Sequence, residues 1–65
     1  MIPQMMTDAA ALLNEKEAAR FLSMSYRTLQ SLRSAGEGPP YLKLGRSIRY
    51  RRSDLMSWIE KSQRN

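Results

Sequence analysis

The 65-residue chain contains neither cysteine nor histidine. That excludes disulfide staples and the usual zinc ligand sets, and it removes the side chains most often used as nucleophile and base. Only six carboxylates remain, and they are scattered. No catalytic or metal constellation can be drawn from them, so neither an enzyme nor a cofactor is expected. No apolar run approaches the about 20 residues that cross a bilayer, and the opening MIPQMMTDAA has no basic stretch ahead of an apolar core. A soluble, cytoplasmic protein with no membrane partner is therefore expected. A chain this short has room for one domain with a modest core, since such domains bury only about 60% of the surface that the unfolded chain exposes. Acids are scarce in one stretch in particular. From Arg20 to Arg52, eight basic residues accompany a single acid, Glu37, within a net charge of +5. A basic run alone is often just a solvated face; it becomes a nucleic-acid signal when the charges gather on particular elements.

The elements follow from periodicity and punctuation. Residues 1–10 have no sustained period and read as a flexible tail, with a folded domain over residues 11–62 and a short tail over 63–65. Asn14 followed by Glu17 is a capping box, so a helix is expected from Glu15 to about Leu22, with Ala18, Phe21 and Leu22 on its apolar face. Ser23-Met24-Ser25 interrupts it, and Ser25 is placed to cap a second helix from Tyr26 to about Ala35, with Gly36 as its terminating residue. Gly36-Glu37-Gly38-Pro39-Pro40 predicts a loop. Tyr41 to Leu44 and Ile48 to Arg51 alternate around Gly45-Arg46-Ser47, predicting a hairpin with Leu42, Leu44, Ile48 and Tyr50 facing inward. Ser53 is expected to cap a last helix, with Asp54 in its first turn and Leu55, Trp58 and Ile59 as its apolar stripe. The expected fold is α+β, mostly α: a small winged helix-turn-helix in the order helix, helix, β-hairpin wing, helix.

Two short helices joined by a tight turn, the second presenting Arg27, Gln30 and Ser31 outward, suit a reader of the DNA major groove. The Arg27 fork matches guanine O6 and N7, Gln30 matches adenine N6 and N7, and Ser31 is short enough for close approach. Tyr26 and Thr28, in the first turn of that helix, would flank the contact where free N–H groups favour a phosphate. Arg33 lies nearer the buried side of the helical wheel, which points to a backbone phosphate or a link to the wing. In the hairpin, Lys43, Arg49 and Arg51 are placed to hold phosphates, and the tip with Arg46 and Ser47 is placed to enter a minor groove, whose negative potential attracts arginine. The competing reading, a solvated helix face and an edge strand kept soluble by charge, is weakened by the single sign of that charge. Trp58 keeps apolar spacing with Leu55 and reads as core rather than as a stacking residue.

The stretch from Leu13 to Ile59 resembles the excisionase and AlpA-type branch of MerR-like winged helix-turn-helix proteins. The resemblance rests on Glu17-Ala18-Ala19, Phe21-Leu22 and Met24-Ser25, then Thr28-Leu29, Gly36, Pro39-Pro40 and Gly45-Arg46. It continues through Ile48-Arg49-Tyr50, Ser53-Asp54-Leu55 and Trp58-Ile59. The chain departs from the family pattern at Leu32, where an aromatic residue is frequent, and at Gln30 and Ser31, where arginines are frequent. The resemblance implies double-stranded DNA as partner, base reading by the second helix, and a wing on the neighbouring groove or backbone. It also implies one of two roles: a recombination directionality factor that bends DNA near an attachment site for an integrase, or a small phage or mobile-element transcription regulator. A DNA-packaging or protein-interaction module is the alternative of another class. The expected state off DNA is a monomer, with neighbouring copies or an integrase as partners on DNA.

Overall fold

The computed structural model describes residues 12–63; the expected tail over 1–10, and the last two residues of the expected tail over 63–65, lie outside them. The element order is β1 (Leu12–Asn14), α1 (Glu15–Phe21), α2 (Tyr26–Ala35), β2 (Leu42–Leu44), β3 (Ser47–Arg51) and α3 (Arg52–Ser62). This is the expected winged helix-turn-helix with one addition, a short strand ahead of α1. The three strands form one antiparallel sheet in the order β1-β3-β2. No described helix is long and apolar enough to cross a membrane.

Local chemistry sets the helix ends. The Glu17 N–H donates to Asn14 Oδ1 at 2.8 Å and the Asn14 N–H to Glu17 Oε1 at 2.9 Å, so the capping box closes as predicted. After α1 the chain reverses at Ser23, which takes a φ of 57°. The Met24 N–H returns to the Ala19 carbonyl and the Ser23 N–H to the Arg20 carbonyl, satisfying the exposed end of the helix. Ser25 then caps α2 through the Thr28 N–H at 3.1 Å, and Gly36 ends it at φ 74°.

The wing differs from expectation in register. Leu44 pairs with Ser47 and Lys43 with Ile48, so the loop is the two residues Gly45-Arg46 rather than three. Gly45 supplies the positive φ, 65°, that the first position of such a loop requires. Directly opposed residues share a face, so a one-residue shift in pairing exchanges faces. Ile48 and Tyr50 point to the core together with Leu13, the partner of Tyr50 on β1. Leu42 and Leu44, expected inside with them, lie on the opposite face with Arg49 and Arg51, and Leu44 is 52% exposed.

The last helix also begins differently. It starts at Arg52, directly from β3, and Arg51 occupies the cap position without a side-chain cap bond, so Ser53 lies inside the helix rather than at its head. Asp54 does lie in the first turn, where Arg51 Nη1 donates to Asp54 Oδ2 at 3.3 Å. Of the expected stripe, Leu55 is fully buried, Trp58 is half-buried and Ile59 is exposed.

Ala18 and Ala19 of α1, Leu29 of α2, Tyr50 of β3 and Leu55 of α3 form the buried cluster, edged by Leu13, Phe21, Leu22, Met24 and Ile48. The small alanines let α2 and the sheet approach α1 closely. Leu29, Tyr50 and Leu55 are wholly buried and each contributes about 1.5–3 kcal/mol of apolar burial. Outside the cluster, the Arg52 guanidinium lies 5.3 Å from the centre of the Phe21 ring, joining the start of α3 to the end of α1.

Candidate nucleic-acid interface

On α2, Leu29 points inward and Arg27, Ser31 and Ser34 point outward, as 100° per residue requires. A shallow depression runs along this outer face between Arg27, Gln30, Ser31, Arg33 and Ser34. A second depression continues from it at Gln30 and Arg33 toward the wing, where Arg46, Ser47, Ile48 and Arg49 form the far wall. Its near wall is Asn14 at the end of β1, Lys16 from the start of α1 and Tyr26 from the start of α2. The shape follows from strand lengths. β1 ends at Asn14, opposite Arg49, while β3 extends on to Ser47, so the tip of the wing overhangs the first turns of both helices.

The structure thus brings together Tyr26, Arg27, Gln30, Ser31, Arg33, Arg46, Ser47 and Arg49 around two adjoining depressions that meet at Gln30 and Arg33 and together form a groove. Thr28, Lys43 and Arg51 do not line it. The Thr28 hydroxyl accepts from Ser25 Oγ at 2.8 Å and belongs to the cap of α2. Lys43 is exposed on the sheet face of Ile48, and Arg51, on the opposite face, is paired with Asp54. Lys43 and Arg51 therefore lie on two sides of the wing, a separation that the shorter loop produces. Arg49 Nη1 donates to the Ile48 carbonyl at 2.9 Å, which pins its guanidinium at the groove wall.

Arg33 is engaged internally. Its Nε and Nη2 donate to the two carboxylate oxygens of Glu15 at 2.7 and 3.1 Å, and its guanidinium lies 5.8 Å from the centre of the Tyr41 ring. Glu15 is 7% exposed and also accepts from the Tyr50 hydroxyl at 2.7 Å. Burial by itself would raise the Glu15 pKa. The hydrogen bonds from Arg33 and Tyr50 and the Arg33 charge outweigh burial and hold the carboxyl below its ordinary range. Burial first, and then the Glu15 carboxylate, push the Tyr50 phenol far above its ordinary range, so it stays a neutral donor.

Two residues that line the groove were not among the predicted ones. Lys16 lines the groove, with its Nζ 5.6 Å from the centre of the Tyr26 ring. Its place at the second position of α1 follows from the capping box, but its share in the groove emerges only once β1 pairs with β3 and sets the wing over the start of α1. Glu15 is the one acid lining the groove, and Arg33 neutralises it there. The groove is otherwise walled by Lys16, Arg27, Arg46 and Arg49, a concentration of positive charge beside the hydrogen-bonding side chains of α2. Among the described residues no three His, Cys, Asp or Glu side chains gather to hold a metal ion.

None of the curated proteins compared with the chain matches it. The helix-turn-helix domain family does match, over residues 12–63, a span that opens at β1 and takes in both helices of the turn, the wing and α3. The chain accordingly belongs to the helix-turn-helix domain family, which makes double-stranded DNA its partner.

Proposed function

We propose that the protein is a sequence-specific DNA-binding factor of excisionase type, which occupies and bends duplex DNA beside an attachment site for an integrase. The observation that carries the DNA reading is the adjacency of the two depressions, with Gln30 and Arg33 shared between the outer face of α2 and the side that faces the overhanging wing. A helix and a wing so joined can engage a major groove and its neighbouring backbone at once. Arg27, Gln30 and Ser31 are the base readers; the fork of Arg27 fits guanine and the amide of Gln30 fits adenine, each worth about 1–3 kcal/mol of discrimination. Arg46 and Ser47 at the overhanging tip enter the adjacent minor groove. Lys16 and Arg49 hold phosphates from the two walls, with Lys43 and Arg51 on the outer flanks of the wing. Thr28 and Tyr26 frame the first turn of α2.

Most of the positive charge of this surface stands on the wing and α1, so affinity and its salt dependence arise there and specificity arises on α2. The protein acts by binding and shaping DNA rather than by catalysis, as a monomer off DNA that meets an integrase or further copies on it. The excisionase-type role draws its support from the resemblance that runs from Leu13 to Ile59. Selection from a random duplex library, followed by mobility of the selected site at varied positions within a fragment, tests it. The expected result is an enriched site whose position alters mobility, as a bend does. No enrichment refutes sequence-specific binding, and an enriched but straight site refutes the excisionase-type role.

A further inference from the structure

The internal polar cluster under the groove joins the two DNA-facing elements. Arg33 is on α2, Tyr50 on β3, and both donate to Glu15 at the start of α1. The backbone of α2 rests chiefly on α1, while β3 rests on its neighbouring strands, α1 and α3. Between α2 and β3 the shared apolar packing of Leu29 and Tyr50 is not directional. The hydrogen bonds through Glu15 are, because a carboxylate accepting a two-pronged arginine on one side and a phenol on the other fixes both partners in angle as well as in distance. Every buried side-chain polar atom among the described residues has its partner, so the cluster is complete as it stands.

Building on the DNA-binding reading above, we infer that Glu15, with Arg33 and Tyr50, is a positioning unit for base recognition: it sets the angle of the recognition helix against the wing, and thereby the register of Arg27 and Gln30 on the bases. These residues touch no base. They act through α2, and Arg33 in addition cancels the one negative charge in the groove, which would otherwise face the phosphates. The unit therefore governs sequence discrimination. As long as the charges of the unit are kept, the purely electrostatic attachment of the wing to any duplex is unaffected by its geometry.

Two variants that preserve charge test this on the full chain. Tyr50→Phe keeps the buried ring and removes the donor; Arg33→Lys keeps the cation and removes the two-pronged geometry. Both are assayed below their thermal midpoints, with folding monitored by circular dichroism, against the duplex selected by the wild-type protein and against a scrambled duplex over a salt series. The expected result is an about tenfold loss of affinity for the selected duplex, equivalent to one misaligned base contact, with affinity for the scrambled duplex and the salt slope unchanged. A merely structural role lowers the thermal midpoint and leaves the selected-to-scrambled ratio of the folded protein at its wild-type value; that outcome overturns the inference and leaves the DNA-binding reading intact. A wild-type protein that selects no duplex overturns that reading and this inference together.

Discussion

Replacing Glu15 with glutamine or alanine should be the most damaging single polar substitution in the domain, and its effect should depend on pH. At neutral pH the carboxylate satisfies Arg33 and the fully buried Tyr50, and alanine strands both. Breaking a buried pair costs about 3–5 kcal/mol; with the Arg33 side chain still 22% exposed, the lower end, about 3 kcal/mol, applies. At about 5 °C per kcal/mol for a domain of this size, the thermal midpoint falls by about 15 °C. The whole domain is worth only about 3–10 kcal/mol, so much of its stability hangs on this group. Glu15→Gln should show the pH dependence most clearly, since it keeps an acceptor for Tyr50 but turns an amide N–H toward the guanidinium. The folded pKa of Glu15 lies below its ordinary value of 4.5, so its contribution is fully present above that value and is lost as pH falls through the folded one. Urea unfolding followed by circular dichroism, wild type against Glu15→Gln, should give a stability gap that is constant from pH 7 to pH 5 and narrows on further acidification. A gap under about 0.5 kcal/mol at pH 7, the range of an ordinary surface substitution, or one that does not change on acidification, refutes the reasoning.

Three further outcomes follow from the wing and the groove. Leu44 lies exposed on the outer sheet face while Ile48 lies at the edge of the core, so Leu44→Thr should change stability by less than about 0.5 kcal/mol and Ile48→Ala should cost about 2 kcal/mol, as read by urea unfolding. Gly45 has open space around it but a φ of 65°, so Gly45→Ala should destabilise by about 1 kcal/mol through backbone strain alone, visible as a lower thermal midpoint. Lys16→Ala should weaken binding to every duplex alike and reduce the slope of log affinity against log salt by about 1, measured by fluorescence anisotropy.

What could be foreseen in the sequence was local. Asn14 with Glu17, Ser25, and Gly36 announce helix ends within a few residues of themselves, and the structure forms each of them. Less accessible were features set by distant partners. β1 is three residues long and exists only by pairing with β3, more than thirty positions away, so no period marks it. The hairpin loop is one residue shorter than its turn-forming residues suggest, and that single step moved Leu42 and Leu44 to the outer face. Ser53 resembles a cap but lies inside α3, because β3 runs into α3 without the loop that a cap would normally close. Glu15 has the appearance of an ordinary first-turn acid; its partners stand 18 and 35 residues along the chain, and only the packing of α2 and β3 against α1 discloses them. At the groove, the outward face of α2 could be derived from the helical wheel, whereas the inclusion of Lys16 and the departure of Lys43 and Arg51 to the flanks depend on strand lengths and register.

The division of labour between helix and wing is tested most directly by comparing Arg27→Ala with Arg46→Ala on a selected and a scrambled duplex, each titrated over a salt series. Arg27→Ala should lose at least about tenfold on the selected duplex, the value of a bidentate base contact, and almost nothing on the scrambled one, with the salt slope unaltered. Arg46→Ala should weaken both duplexes and flatten the slope. Equal losses on both duplexes for Arg27→Ala, or a loss confined to the selected duplex for Arg46→Ala, would contradict the account.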